Sequence, residues 1–214
     1  MNEITDHIEQ GQLFVVSAPS GAGKTSLVKA LIDDDPTIDV SVSHTTRKLR
    51  PGEVDGVNYH FVNQERFHQM LENDEFLEWA TVFDHLYGTS IDAARRVLEA
   101  GKHVILEIDW QGAQQIRRQV SGTQTIFIFP PSLQALRDRL TGRAQDDPAT
   151  IERRTADALE ELSHWSEFDY LVVNDDFNTA VSELRAVVAG RGDLFHRDVR
   201  QATLRDLVAE LLKP

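Results

Sequence analysis

An α/β fold built on a parallel sheet is predicted by two observations. Five apolar, strand-like runs recur along the chain, at Leu13–Val16, Val40–Val42, His103–Ile108, Thr125–Phe129 and Tyr170–Val173, and most are separated by segments of helical period. Parallel strands need long crossovers, and helices are the usual ones. The first run also leads directly into a glycine-containing loop and then an amphipathic stretch, the order strand, tight loop, helix that begins a βαβ unit.

Taken in order, Lys24–Ile32 reads as the first helix and Val40–Val42 as the second strand. From about Ser43 to Gly88 the alternation breaks. Gly52 and Gly56, the aromatics Tyr59, Phe61, Phe76, Trp79 and Tyr87, and short alternating runs such as Tyr59-His60-Phe61-Val62 predict a small mixed subdomain on the sheet's rim. Ile91–Ala100 is helical and is followed by Gly101, where a C-terminal glycine belongs. The buried strand His103–Ile108 precedes a helix over Trp110–Gln119, and Thr125–Phe129 precedes one over Leu133–Leu140 with Ser132 as its cap. Residues Arg139 to Arg154 are arginine-rich and include the turn-prone Gln145-Asp146-Asp147-Pro148, which suits a mobile flap. Asp147-Pro148 also opens the longest helix, Thr150–Trp165, with proline in its first turn. Strand Tyr170–Val173 and helix Thr179–Ala189 complete the alternation. After Gly190, Thr203-Leu204-Arg205-Asp206 resembles a capping box for a helix to Leu212, whose non-basic polar face suits packing or a subunit contact rather than a membrane.

The loop Ser17-Ala18-Pro19-Ser20-Gly21-Ala22-Gly23-Lys24-Thr25-Ser26 carries the first chemistry. Glycines at 21 and 23 allow backbone N–H groups to turn toward an anion, and the helix N-terminus adds partial positive charge. Lys24 can reach a terminal phosphate, and Thr25 can place its hydroxyl on Mg²⁺. The usual G-x-x-x-x-G-K-[ST] spacing asks for glycine where this chain has Ala18. One methyl group is tolerated there if the residue's φ is negative.

The 214 residues, 41% of them hydrophobic, suffice for one domain with insertions or two small ones. Cysteine is absent, which excludes disulfides and thiolate metal sites and fits a reducing compartment. The run Met1 to Gln10 is acidic and polar, and no apolar stretch approaches the roughly 18 residues of a membrane span. A cytoplasmic protein is expected. The formal charge of −13 repels nucleic-acid polymers at long range, so a phosphate-bearing partner is expected to be a small nucleotide held by local arginines. The eight histidines show no H-E-x-x-H or comparable spacing, no G-x-S-x-G elbow accompanies the serines, and the histidines read as structural or surface residues.

Downstream of the loop, the run from Ser43 to Phe61 meets every fixed position of S-x-T-T-R-x-x-R-x-G-E-x-x-G-x-x-Y-x-F. On this signature the chain resembles the guanylate kinases. The resemblance continues through Phe76-Leu77-Glu78-Trp79, Tyr87-Gly88-Thr89, Leu106 to Gly112, Phe129 to Ser132, Gly142-Arg143 and Val173 to Asp176, covering roughly Gly11 to Ala189. It implies an α/β nucleoside-monophosphate kinase fold of the P-loop type: a parallel sheet core flanked by helices, with an inserted mixed GMP-binding subdomain and a short lid. The core would take residues 1–42, 89–138 and 155–214, the GMP-binding subdomain 43–88 and the lid 139–154.

The same resemblance implies roles. Ala18 to Ser26, with Arg139 and Asn174, would hold ATP. Arg47 and Arg50 with the Tyr59 hydroxyl would clamp the GMP phosphate, and Ser43, Glu53, Glu78, Tyr87 and Thr89 complete that site. Planar, multi-donor cations suit a dianion. Guanine offers N–H donors at N1 and N2 that one carboxylate, Glu78, can accept together, whereas adenine turns a bare acceptor there. Glu107 and Asp109, at a strand's end, would orient Mg²⁺ waters, and the family also sets the residue matching Asp109 against GMP; a cap on the helix at Trp110 is the other reading of either. Lys24, Arg47, Arg143 and Arg154 would stabilise charge during transfer, and both insertions would fold over bound substrates. Judged without the resemblance, Arg47 and Arg50 are ordinary surface charge, Glu78 before Trp79 is a solvent-side strand residue, and the lid arginines are a solvated helix face. Asp175-Asp176 reads as a turn and helix cap. Around Arg143 the flap departs from the family's glycine-threonine start, and His85-Leu86 depart from its run before Tyr87. A catalytically inactive protein-binding module on the same scaffold, and a kinase for another nucleoside monophosphate, are the competing functions. A homo-oligomer is plausible from the family and the C-terminal helix.

Overall fold

In the computed structural model, residues 11–82, 84–141 and 148–213 are described, with backbone alone for 148–151 and 153. Arg143, and Gly142 and Ala144 to Asp147 around it, lie outside them. The chain divides into two compact units: one holds the residues up to Val15 and Asp35–Thr123, the other Val16–Asp34 and the chain from Gln124 onward.

The strands in chain order are β1 (Leu13–Ser17), β2 (Ile38–Val40), β3 (His44–Thr45), β4 (His60–Phe61), β5 (Phe76–Val82), β6 (His85–Ser90), β7 (His103–Glu107), β8 (Gln124–Phe129) and β9 (Tyr170–Val173). The helices are α1 (Lys24–Asp34), α2 (Gln64–Glu72), α3 (Ile91–Glu99), α4 (Trp110–Gln119), α5 (Leu133–Thr141), α6 (Pro148–Ser163), α7 (Phe177–Val188), α8 (Arg197–Arg200) and α9 (Arg205–Leu211). One sheet has the order β2-β7-β1-β8-β9; the other is four-stranded, in the order β4-β3-β6-β5.

Within the first unit β2 runs parallel to β7, from Ile38 opposite His103 to Val40 opposite Ile105. The strand begins two residues before the predicted Val40–Val42 because the ladder with β7 opens at Ile38, and Ser41 N–H still donates to Ile105 O at 3.0 Å. The second sheet is mixed: β3 is parallel to β4 and antiparallel to β6, and β5 and β6 form an antiparallel hairpin. Helix α2, capped by the Asn63 side chain on Arg66 N–H, buries Phe67 and Met70. Phe67 stacks on Phe76 with ring centroids 4.5 Å apart. Gly88 lies under that pair, and a Cβ there would sit 2.8 Å from the Phe76 ring, so glycine is what lets the two rings cover the hairpin. Ser90 caps α3, whose end at Ala100 is followed by Gly101 at φ +73°, as its sequence predicts.

In the second unit β8 and β9 pair in parallel from Ile126–Tyr170 to Phe129–Val173. The run Thr125 to Phe129 is wholly buried, and α1 packs on α7 through Leu27 and Leu31 and through Ala180 and Leu184. Each such leucine stabilises the fold by about 1.5–3 kcal/mol over an exposed one. Ser132 Oγ accepts Ala135 N–H at 3.1 Å, and Asp176 Oδ1 accepts Thr179 N–H at 2.8 Å, so both predicted caps are made. The capping box at Thr203 is not: its hydroxyl donates to Arg200 O at 2.8 Å, closing the turn after α8, and α9 starts at Arg205, with Leu204 at the N-cap position and no side-chain cap. Among the described residues no helix is long and apolar enough to cross a membrane.

Candidate active site

The donor half lies in the second unit, in the loop between β1 and α1. Ala22 N–H donates to Pro19 O at 2.9 Å, and Gly21 and Gly23 take φ of +91° and +97°. Ala18 is buried and is not among the residues of positive φ, so the methyl group at the first loop position is carried without backbone strain. Ala22 O accepts two side-chain donors, Asn174 Nδ2 at 2.6 Å and Arg139 Nη1 at 3.2 Å, while Arg139 Nη2 donates to Asn174 O at 3.2 Å. A trans peptide holds its C=O and N–H on opposite sides, so fixing the Ala22 carbonyl outward turns Gly23 N–H the other way, toward the inside of the loop. The structure thus shows Arg139 and Asn174 bracing the phosphate loop. Gly23 is required for that bracing, since a Cβ would stand 2.4 Å from Asn174 Nδ2.

A second pair reaches the loop from α6. Ser20 N–H donates to Glu161 Oε2 at 2.8 Å, and Arg154 Nη2 donates to Ser20 Oγ at 3.3 Å. Residues 154 and 161 are two turns apart on one helix face, the spacing that would have linked them in the sequence. Sequence reading missed Glu161 because a single carboxylate in a polar helix carries no other signal. Lys24 is half-buried in the first turn of α1, and Thr25 and Ser26 follow it exposed. Arg143 lies outside the described residues.

The acceptor half lies in the first unit, on the second sheet and the strand end beyond it. Arg47 is 8% exposed, far from the surface charge that its sequence context alone suggests. Its Nη1 and Nη2 donate to the two carboxylate oxygens of Glu53 at 2.9 and 2.8 Å, Nη1 donates also to Lys48 O, and Arg50 N–H donates to Glu53 Oε2 at 2.8 Å. Glu53 therefore sets the position of both arginines, and the guanidinium of Arg50 is exposed beside it. The guanidinium of Arg47 stands about 5.4 Å over the Tyr59 ring and 5.5 Å over Phe61. Burial alone would lower the Arg47 pKa, but hydrogen bonds with Glu53 and the Tyr87 hydroxyl outweigh it and the value is raised. The Arg47 hydrogen bond holds the Glu53 carboxyl below its ordinary range. Tyr59, edge-on to Tyr87 at 5.8 Å, is pushed up to about 12, first by burial and then by Tyr87 and Glu107. It is a neutral hydrogen-bonding phenol at any physiological pH.

Glu78 is 3% exposed, not solvent-side. The register with β6 shifts between Phe76 and Glu78, so Phe76 faces Ser90 and Glu78 faces Thr89; this bulge changes the strand's parity and leaves both Leu77 and Glu78 buried. Thr89 Oγ1 donates to Glu78 Oε1 at 2.6 Å, and Ser43 Oγ lies 3.3 Å from Thr89 Oγ1. A Cβ on Gly112 would be 2.6 Å from Glu78 Oε2, so glycine at that point of α4 is what admits the carboxylate. Asp109 caps α4, accepting Gly112 N–H at 2.8 Å, and Glu107 ends β7 with its charge felt at Tyr59. Ser43, Arg47, Glu53, Tyr59, Glu78, Tyr87, Thr89, Glu107 and Asp109 are thus all gathered in one unit.

His44, between Ser43 and Thr45, lies against His60 with the rings tilted and their centroids 4.7 Å apart, meets Phe76 edge-on, and its Nδ1 is buried without a hydrogen bond. Burial first, then the charges of His60 and Arg66, lower its pKa from 6.5 to about 4. Between those values the unfolded chain binds the proton that the folded one refuses. Stability is therefore full above pH 6.5 and falls as pH drops toward 4, by about 1–2 kcal/mol after allowance for solvent screening. Urea midpoints from pH 7.5 to 4.5 are expected to fall less steeply for His44→Phe than for the wild type; parallel curves would contradict the assignment. Glu53, whose depressed carboxyl acts only below about pH 4.5, contributes outside most of that window.

A glycine loop leading from β1 into the N-terminus of a helix, and a second, mixed sheet whose residues include a buried arginine–tyrosine group and a buried carboxylate, fit a P-loop kinase of small nucleotides. The comparisons agree. The guanylate kinase family model matches residues 10–190. Guanylate kinases of Alkalilimnicola ehrlichii and Pseudomonas fluorescens are 54% identical to the chain over 200 and 202 residues, covering 92% and 94% of it and 98% and 97% of those proteins. A crystal structure of guanylate kinase from Anaplasma phagocytophilum superposes with a TM-score of 0.71 at 29% identity, over 90% of this chain and 94% of that one. The chain belongs to the guanylate kinase family.

Proposed function

We propose that this protein transfers the γ-phosphoryl group of ATP to the phosphate of GMP, giving ADP and GDP. The observation that carries the guanine specificity is the buried Glu78 carboxylate, held by Thr89 and admitted by Gly112. An ionised carboxylate in that pocket accepts the N1 and N2 protons of guanine, while adenine would leave it unpaired, a loss of about 1–3 kcal/mol or more. Arg47 and Arg50 with the Tyr59 hydroxyl take the acceptor phosphate, and Ser43 and Tyr87 complete the acceptor site. We assign residues 43–88 to the acceptor part and 139–154 to the lid; of the lid arginines, Arg154 is described and Arg143 lies outside the described residues.

The attacking oxygen belongs to a phosphate already ionised near neutral pH, so no protein base is needed. Catalysis reduces to alignment and charge stabilisation by Lys24, the loop amides and the arginines. The donor chemistry fits a hard cation: Thr25, in the first turn of α1 and an exposed residue, carries a hydroxyl oxygen next to the glycine loop. Mg²⁺, held by Thr25 and nucleotide oxygens, would withdraw charge from the transferring group. We assign Glu107 and the cap residue Asp109, which share a unit with Tyr59 and Glu78, to GMP and its waters.

A coupled ADP assay with ATP, Mg²⁺ and each of GMP, AMP, CMP and UMP tests the reading. Turnover with GMP at least about 10²-fold above the others is expected. Equal use of AMP would overturn the guanine assignment, and no turnover with any acceptor would favour a protein-binding role.

A further inference from the structure

We infer that Gln115 is a positioning residue for the acceptor base, acting through the main chain next to Glu78. β5 is the edge strand of its sheet, bonded on one side only, to β6. An edge strand leaves alternate N–H and C=O groups unpaired and its register weakly held. At Trp79 both outward groups are met by one side chain: Trp79 N–H donates to Gln115 Oε1 at 3.2 Å, and Gln115 Nε2 donates to Trp79 O at 2.7 Å. A primary amide carries the donor and acceptor of a peptide unit, so Gln115 stands in for one residue of a missing neighbouring strand.

The location of this clasp gives it a function. The Trp79 N–H belongs to the peptide bond that joins it to Glu78, immediately after the bulge that turns Glu78 inward. Bulged strands have a competing regular register, and slipping by one residue would send the carboxylate to solvent. Gln115 lies one turn beyond Gly112 on α4, the face that packs on β5, and Asp109 pins that helix at its start. The helix therefore fixes the carboxylate twice, by the space that Gly112 leaves for Oε2 and by the Gln115 grip on the backbone. Trp79 itself is 43% exposed, so its own side chain holds the strand less firmly than a buried one would.

The inference rests on the reading of Glu78 as the group that accepts from guanine. Its test is Gln115→Glu, which keeps the acceptor for Trp79 N–H and removes the donor to Trp79 O, with Gln115→Ala as a second variant. Kinetics are measured with GMP and with IMP, which lacks the 2-amino group, alongside thermal unfolding. Both variants are expected to raise KM for GMP by about 10-fold, to shrink the GMP:IMP ratio of kcat/KM by about 3- to 10-fold, and to leave KM for ATP within about twofold. In a Glu78→Gln background the same change should leave the ratio unaltered, because the residue acts through that carboxylate. An unchanged GMP:IMP ratio in the Gln115 variants, with Glu78→Gln still altering it, would reduce Gln115 to a structural support and overturn the inference alone. An unchanged ratio in Glu78→Gln itself would overturn the base assignment and the inference with it.

Discussion

Lys24→Ala is expected to lower kcat by about 10²- to 10³-fold while KM and Kd for GMP stay within about threefold. Lys24 sits at the N-terminus of α1, in the loop whose Gly23 amide is aimed inward by Asn174 and Arg139. Phosphoryl transfer passes through a loose state in which negative charge gathers on the transferring and leaving oxygens. A cation placed there stabilises that state more than the bound substrate, and removing one preorganised group of this kind costs about 3–4 kcal/mol. The residues proposed to bind GMP do not include Lys24, so GMP affinity is expected to hold. Coupled ADP release gives kcat, and calorimetric titration with GMP gives the affinity. Wild-type turnover in this variant would remove the loop lysine from the chemistry.

Glu78→Gln is expected to lower kcat/KM for GMP by about 10²-fold and to raise the relative use of AMP. The variant is nearly isosteric, and its amide oxygen can keep the Thr89 hydroxyl bond now made by Oε1 at 2.6 Å. The NH₂ then replaces Oε2, the atom that lies against Gly112. A donor there opposes the N–H groups of guanine and suits the bare N1 of adenine, so specificity is lost from both directions. Competition between GMP and AMP in one assay measures the ratio directly. Undiminished discrimination would show that guanine is read elsewhere.

The elements were legible wherever local signals agree with the fold. Helix α4 has the bounds expected for it, α3 has its closing glycine, and the caps at Ser132 and Asp176 are made. Signals failed where the partner lay elsewhere in the chain. β2 starts early because β7 sets its ladder, and the Thr203 hydroxyl serves the turn after α8. Helix α2 was not expected, although Asn63 caps it and Phe67 and Met70, three residues apart, form its buried face.

The candidate site divides in the same way. The glycines and Lys24 declare phosphate chemistry from the chain's order of residues, because backbone freedom and charge are properties of the residues themselves, whereas Arg47 and Arg50 do so only through the family signature. Nothing local to Glu78, Arg139, Asn174, Glu161 or Gln115 states what it does. A bulge buries the first, one carbonyl gathers the next two, a loop amide receives the fourth, and an exposed strand edge receives the last. Composition and spacing settle which ligands the chain can attract. Which carboxylate loses its water, and which amide is held in place, follows from strand parity and from donors and acceptors tens of residues apart, and these exist only once the chain has folded.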